Sequence, residues 1–137
     1  MTDKAAILDA NSTFYVAFAR GDLVMLERLW ADTDDISCIH PGWPALVGRV
    51  AVISSWRDII SNPERPSITC YDPHVIATET TGHVLCIELV GATPLAASNH
   101  FRFIKNEWRL VHHQSTPIAA AASGEFRESQ TPAGSIH

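Results

Sequence analysis

The sequence predicts an α+β domain whose helices come first and whose strands follow. Apolar residues recur at helical spacing through the first half of the chain, and a two-residue alternation takes over in the second half. The two kinds of segment do not alternate along the chain, which argues against repeated βαβ units.

The first helix is expected over residues 4–20. Asp3 can accept from its free N–H groups, and Ile7, Leu8, Phe14, Tyr15 and Phe18 make a broad apolar face with Ala10 and Ala17. Gly21 is a C-terminal stop. Asp22 caps a second helix over 23–30, where Leu26, Leu29 and Trp30 recur at helical spacing. The Gly21-Asp22 corner joins the two into a hairpin-like layer with one buried side. After a polar turn, residues 36–40 read as a short strand with Ile36, Cys38 and His40 on one face. Two prolines and a glycine make Pro41-Gly42-Trp43-Pro44 a loop. Gly48 precedes a third helix over 49–61, where Val52, Trp56 and Ile59 form a stripe, and Asn62-Pro63 ends it.

Strands are expected over 67–71 and 74–78, on either side of a break at Asp72-Pro73, and over 83–90 after a turn at Thr81-Gly82. Residues 95–104 place Ala97, Asn99, Phe101 and Phe103 on one face. Lys105-Asn106 is a hairpin turn. Residues 107–115 place Trp108, Leu110, His112 and Gln114 together. The domain therefore spans 1–117. The remainder, 118–137, is biased to Ala, Ser, Gly, Thr and Pro without periodicity and reads as a flexible tail.

Composition narrows the function. The 137 residues suit one core, and 46% hydrophobic with 18% charged residues excludes wholesale disorder. Ten Lys+Arg against fifteen Asp+Glu give a net charge of -5 without a basic stripe. Nucleic acid is therefore not an expected partner, nor is an anionic membrane surface. No run approaches the about 20 apolar residues of a membrane helix, and the first residues lack a secretory pattern. The cysteines Cys38, Cys70 and Cys86 are odd in number and form no CxxC, so buried reduced thiols and a cytoplasmic setting are expected. No metal-ligand spacing and no glycine-rich phosphate loop occurs, so neither metal nor cofactor is expected.

Three polar residues are candidates for chemistry. The even-length turn at Lys105-Asn106 pairs Phe103 with Trp108, Phe101 with Leu110 and, in continued register, Asn99 with His112. An amide and an imidazole on an apolar face must satisfy each other or meet a ligand. A one-residue slip would swap faces and select His113 instead. His40 ends a strand, and an imidazole with an ordinary pKa near ~6.5 can serve as general base in a pocket. A bond to a local carbonyl is the bland alternative for it. Trp43, in its Pro/Gly loop, is better placed than Trp56 to reach a ligand.

The run FARGDLVMLERLWADTDDISCIHPGWPALVGR, then Ser55-Trp56, SNHFRF and EWRLVHHQS resemble the nuclear transport factor 2-like superfamily, most closely its SnoaL-like branch. That branch is also similar to the association domain of calcium/calmodulin-dependent kinase, and the likeness spans 5–117. The resemblance implies a cone: a curved antiparallel sheet wrapped around the three helices, enclosing a pocket, in a homodimer formed through the sheet. Within the superfamily, ketosteroid isomerase combines an Asp base with a Tyr and a protonated Asp. The matching positions are His40, Phe14 and Asn99, all different in kind, with Tyr15 about 100° around the helix from Phe14. The expectation is a pocket for a small apolar or aromatic molecule. His40, Asn99 and His112 would orient it, and Phe14, Tyr15, Trp43, Trp56, Phe101 and Leu110 would form the walls. An isomerase, cyclase or dehydratase using His40 on a carbonyl compound is the alternative, and a non-catalytic oligomeric association module is another.

Overall fold

Capping chemistry sets the helical layer. In the computed structural model, which describes residues 3–119, α1 runs Lys4–Arg20. The Asp3 carboxylate accepts from Ala6 N at 2.9 Å, and Gly21 closes the helix in the left-handed conformation, φ 66°. Asp22 accepts from Met25 N at 3.0 Å and starts α2, Leu23–Leu29. The third helix, α3, is Arg49–Ser61. Its Arg49 guanidinium donates to the carbonyls of Glu27, Trp30 and Ala31, satisfying the end of α2 that would otherwise lack partners.

The strands are β1 Ser37–Ile39, β2 Leu46–Val47, β3 Ile68–Ala77, β4 Thr81–Val90, β5 Thr93–Ile104 and β6 Glu107–Pro117. They form one curved, unclosed sheet in the order β2-β1-β6-β5-β4-β3. All neighbours are antiparallel except β1 and β6, which run parallel. The α+β class and the cone-like wrapping of the sheet around the helices are as expected.

Three local expectations need correction. Asp72-Pro73 does not break the chain into two strands: it is a bulge inside β3, with Asp72 at φ 52°. Thr81-Gly82 is not a turn but the start of β4, the turn lying at residues 78–80. The Lys105-Asn106 turn has both residues left-handed, φ 51° and 68°, the geometry of a two-residue hairpin. It sets Phe103 opposite Trp108 and Phe101 opposite Leu110, but the register then slips between His100 and Phe101. Val111 is the extra residue. Beyond it His100 faces His112, and Asn99 faces His113. The expected pairing of Asn99 with His112 is therefore replaced, because one inserted residue exchanges the faces of everything after it.

The core lies between the inner face of the sheet and the helices. Ile7, Phe14 and Phe18 of α1 and Val52, Trp56 and Ile60 of α3 meet Val84, Ala97, Phe101 and Leu110. Each fully buried large side chain contributes about 1.5–3 kcal/mol. Gly82 belongs to this packing, since a Cβ there would lie 2.7 Å from Ile7 Cδ1. Gly82→Ala is expected to destabilise by about 1–3 kcal/mol through overpacking. A lower urea midpoint at unchanged slope would show it. Among the described residues, no helix is long and apolar enough to cross a membrane. The tail expected from residue 118 onward falls almost wholly outside the described residues.

Candidate functional site

The site begins at the end of β1. Trp43 N donates to the His40 carbonyl at 2.9 Å, closing a turn over Pro41-Gly42 in which Gly42 takes φ 81°. Proline second and a left-handed glycine third is the chemistry such a turn needs. It folds the Trp43 indole back on His40, ring centroids 4.8 Å apart. On the other side α3 brings Trp56 to 4.7 Å from the same imidazole. His40 is buried, whereas Trp43 is 47% exposed, so Trp43 forms the outer edge of the site.

Hydrogen bonds fix the His40 tautomer. The Ser55 hydroxyl gives its proton to Val52 O at 2.7 Å, so at 2.9 Å it accepts from His40 Nε2. Nδ1 then carries the lone pair, with the Cys38 sulfur 4.0 Å away. Burial pulls the imidazole pKa down to about 4, so His40 is a neutral base at pH 7. The Trp56 indole N–H is buried with no oxygen or nitrogen acceptor and only the Cys38 thiol beside it.

Trp56 and Phe14 connect His40 to a deeper polar group. His113 lies 5.5 Å from the Trp56 ring and 4.9 Å from Phe14. Its Nδ1–H donates to Asn99 Oδ1 at 2.5 Å. Asn99 Nδ2 donates to Asn11 Oδ1 at 2.9 Å and to the Tyr15 hydroxyl at 3.0 Å. Tyr15 in turn donates to Glu88 Oε2 at 2.6 Å. The chain nearly closes on itself, since Glu88 Oε2 is 4.0 Å from His113 Nε2.

All five of these residues are buried, and burial disfavours charge. It raises Glu88 to about 7 against the hydrogen bonds from Tyr15 and Ser115, which lower it. It takes His113 down to about 3, with help from the nearby His40 and His112. Burial and the Glu88 carboxyl hold the Tyr15 hydroxyl well above its usual range. Between about pH 3 and pH 7 the Glu88–His113 contact is accordingly a neutral pair rather than an ion pair.

The structure thus brings His40, Trp43, Trp56, Phe14, Tyr15 and Asn99 into one connected group. His112 is not part of it. The bulge turns that imidazole to the outer face, where Ser37 Oγ meets its Nδ1 at 2.7 Å. Phe101 and Leu110 pair across β5 and β6 as fully buried core beyond the bulge. Tyr15, not Phe14, supplies the first-helix hydroxyl. Glu88, Asn11, Ser55 and Ser115 complete the group and are not among the expected site residues. Glu88 did have a signal: it shares strand parity with Val84 and Cys86, so a carboxyl sat on a face otherwise apolar. Among the described residues, no group of three His, Cys, Asp or Glu is arranged to hold a metal ion.

A cone of this kind, with its polar group inside, defines a class of domain, and comparison with known proteins places the chain in it. The SnoaL-like domain model matches residues 7–120, and the chain belongs to that family. A candidate dehydratase of the NTF2-like family from Streptomyces avermitilis is 33% identical. That match covers 85% of this chain and 96% of the other, with a TM-score of 0.77. A candidate calcium/calmodulin-dependent protein kinase type II association domain from Thiobacillus denitrificans is 27% identical over 86% of this chain and 96% of its own, with a TM-score of 0.75. Among curated proteins, the Arabidopsis thaliana F-box protein SKIP8 is 27% identical over 116 residues. The match covers 81% of this chain but spans only 49% of that protein.

Proposed function

We propose that the chain binds a small, mostly apolar molecule at the mouth formed by His40, Trp43 and Trp56, as a homodimer joined through the outer face of the sheet. The observation that carries the binding reading is the buried imidazole held between a half-exposed indole and a buried one. It combines a half-exposed indole with a neutral imidazole that keeps one lone pair, part of the mixture expected of a small-molecule site. A thermal-shift series with steroids, aromatic acids and cyclic ketones tests it. Ligand at ~100 times its dissociation constant should add about 2.7 kcal/mol to the folded state. The shift is expected to vanish in Trp43→Ala and His40→Ala. A compound that shifts wild type and both variants alike would move the binding site elsewhere.

The fixed tautomer of His40 supports a second reading, proton abstraction next to a carbonyl. Nε2–H is held by Ser55, Nδ1 keeps its lone pair beside the Cys38 sulfur, and the 33%-identical Streptomyces protein is described as a candidate dehydratase. On a turned-over hit, His40→Ala is expected to lower kcat by about 10²-fold or more, the low end for a general base. Unchanged turnover would remove this reading and leave binding alone. Assembly beyond a dimer with no response to small molecules would favour an association module.

A further inference from the structure

The outer face of the sheet carries a row of imidazoles. Register sets His83 of β4 opposite His100 of β5, and His100 opposite His112 of β6. The row continues to Ile76 on β3 and to Ser37 and Val47 on β1 and β2, so it crosses all six strands. The His83 and His100 rings stack at 5.0 Å, and His100 meets His112 edge-on at 5.3 Å. The row is not a chelate: Ser98 holds His100 Nε2 at 2.8 Å and Ser37 holds His112 Nδ1.

The next row is His74, Leu85, Ser98, Gln114 and Ile39, and beyond it lie Tyr71, Ile87, Ala96 and Thr116. None of the three rows contains Asp, Glu, Lys or Arg, in a chain where these make up 18% of residues. Leu85 and Ile76 stand exposed on this face. Depletion of charge around an apolar centre is the mark of an interface core. At the usual strand spacings the face is about 25 Å by 20 Å. With side-chain relief, that is of the order of the ~800 Å² per partner of a standard interface. Three uncharged rows are complementary to their own copy, and a two-fold axis running along the strands would set one histidine row against the other.

We infer that His83, His100 and His112 form a proton-gated seam in the face through which two copies of this chain dock, joined when neutral and parted when protonated. The inference rests on the dimer reading proposed above. The groups facing the row are few. β3 brings His74 and Tyr71, with Asp72 in its bulge and Glu79 in the following turn. β5 brings Arg102, already paired with Asp35 at 3.3 Å. β6 brings Arg109, paired with Glu107 at 2.7 Å. β1 and β2 place no ionisable side chain on this face. None of the three paired rows itself contains a carboxylate to offset the positive charge. Burial, then His112 and His83, already hold His100 below the ordinary imidazole range. Rings that must be neutral in the dimer take up protons as it separates, so association weakens as pH falls.

Light scattering over a protein concentration series at pH 7.5 and 5.5 tests the seam, with tryptophan fluorescence confirming that the fold persists. Wild type is expected to be dimeric at pH 7.5, with a dissociation constant at least about 100-fold higher at pH 5.5. The triple variant His83→Gln, His100→Gln, His112→Gln should remain dimeric at both. Should it not fold, the single His100→Gln variant must show a shallower pH dependence than wild type. Leu85→Arg should be monomeric at both pH values. Wild type monomeric at pH 7.5 would overturn the dimer reading itself. A wild-type dimer equally tight at pH 5.5, or a glutamine variant that dissociates in acid as wild type does, would overturn the seam and leave the dimer standing.

Discussion

Asn99→Leu is expected to cost about 3–5 kcal/mol of stability, although leucine has the same branched heavy-atom skeleton as asparagine. The amide satisfies three partners at once, accepting from His113 and donating to Asn11 and Tyr15. Leucine would leave the His113 Nδ1–H and Asn11 Oδ1 buried without partners. A stranded buried group costs about 1–3 kcal/mol, well above the net worth of an ordinary hydrogen bond. Tyr15 would keep Glu88, so its loss is smaller. Partners in one low-dielectric network also strengthen one another. Urea unfolding measures the loss. A double-mutant cycle with His113→Leu should show favourable coupling of about 1–2 kcal/mol, since the second change removes the donor that the first strands. A cost below about 1 kcal/mol for Asn99→Leu would mean that these residues do not act as a unit.

The same residues show what the sequence could and could not disclose. Asp3, Gly21, Asp22 and Lys105-Asn106 act through neighbours a few positions away, so their caps and turns were legible one by one. The alternation of Asn99 with Ala97 and Phe101 was equally plain, and it correctly turned Asn99 inward. The partner of Asn99 was not legible. It depends on a bulge at Val111, which the pattern of β6 does not mark: Trp108, Leu110, His112 and Gln114 alternate without interruption. What selects the slip is three-dimensional. It lets His113 reach both Asn99 and the Phe14–Trp56 cluster while His112 reaches Ser37. The parallel pairing of β1 with β6 was hidden for a similar reason, because a three-residue strand takes its place from whichever edge is free. His40 is legible as a candidate from its place at the end of a strand, before Pro41-Gly42. Its tautomer comes from Ser55, fifteen residues on and in another element.

Glu88→Gln is expected to gain stability on wild type as pH rises, by about 3 kcal/mol between pH 4.5 and pH 8. Burial lifts the Glu88 carboxyl from its usual 4.5 to about 7. In that window the folded protein keeps a proton that the unfolded chain has released, so this group's contribution is full in acid and lost as pH rises through 7. A lift from 4.5 to about 7 corresponds to about 3 kcal/mol, at about 1.4 kcal/mol per tenfold change in proton affinity. Glutamine can still accept from Tyr15 and Ser115, and it has no proton to lose. His40 and His113 act with the opposite sign. Their pKa values fall to about 4 and about 3 in the fold, so they withdraw stability as pH drops below the ordinary imidazole value of 6.5. Two histidines outweigh one carboxyl between pH 4.5 and 6.5, and the carboxyl alone acts just above. The wild-type profile should therefore peak near pH 6.5, while the variant should rise to a plateau instead. Both histidines, and any histidine on the outer face, are common to the two proteins, so the difference between their profiles isolates the carboxyl. Calorimetric Tm values taken in parallel across this range decide the matter. Profiles that stay a constant distance apart would mean that Glu88 titrates like an exposed carboxylate, and that Tyr15 donates to a permanent charge in the heart of the cone.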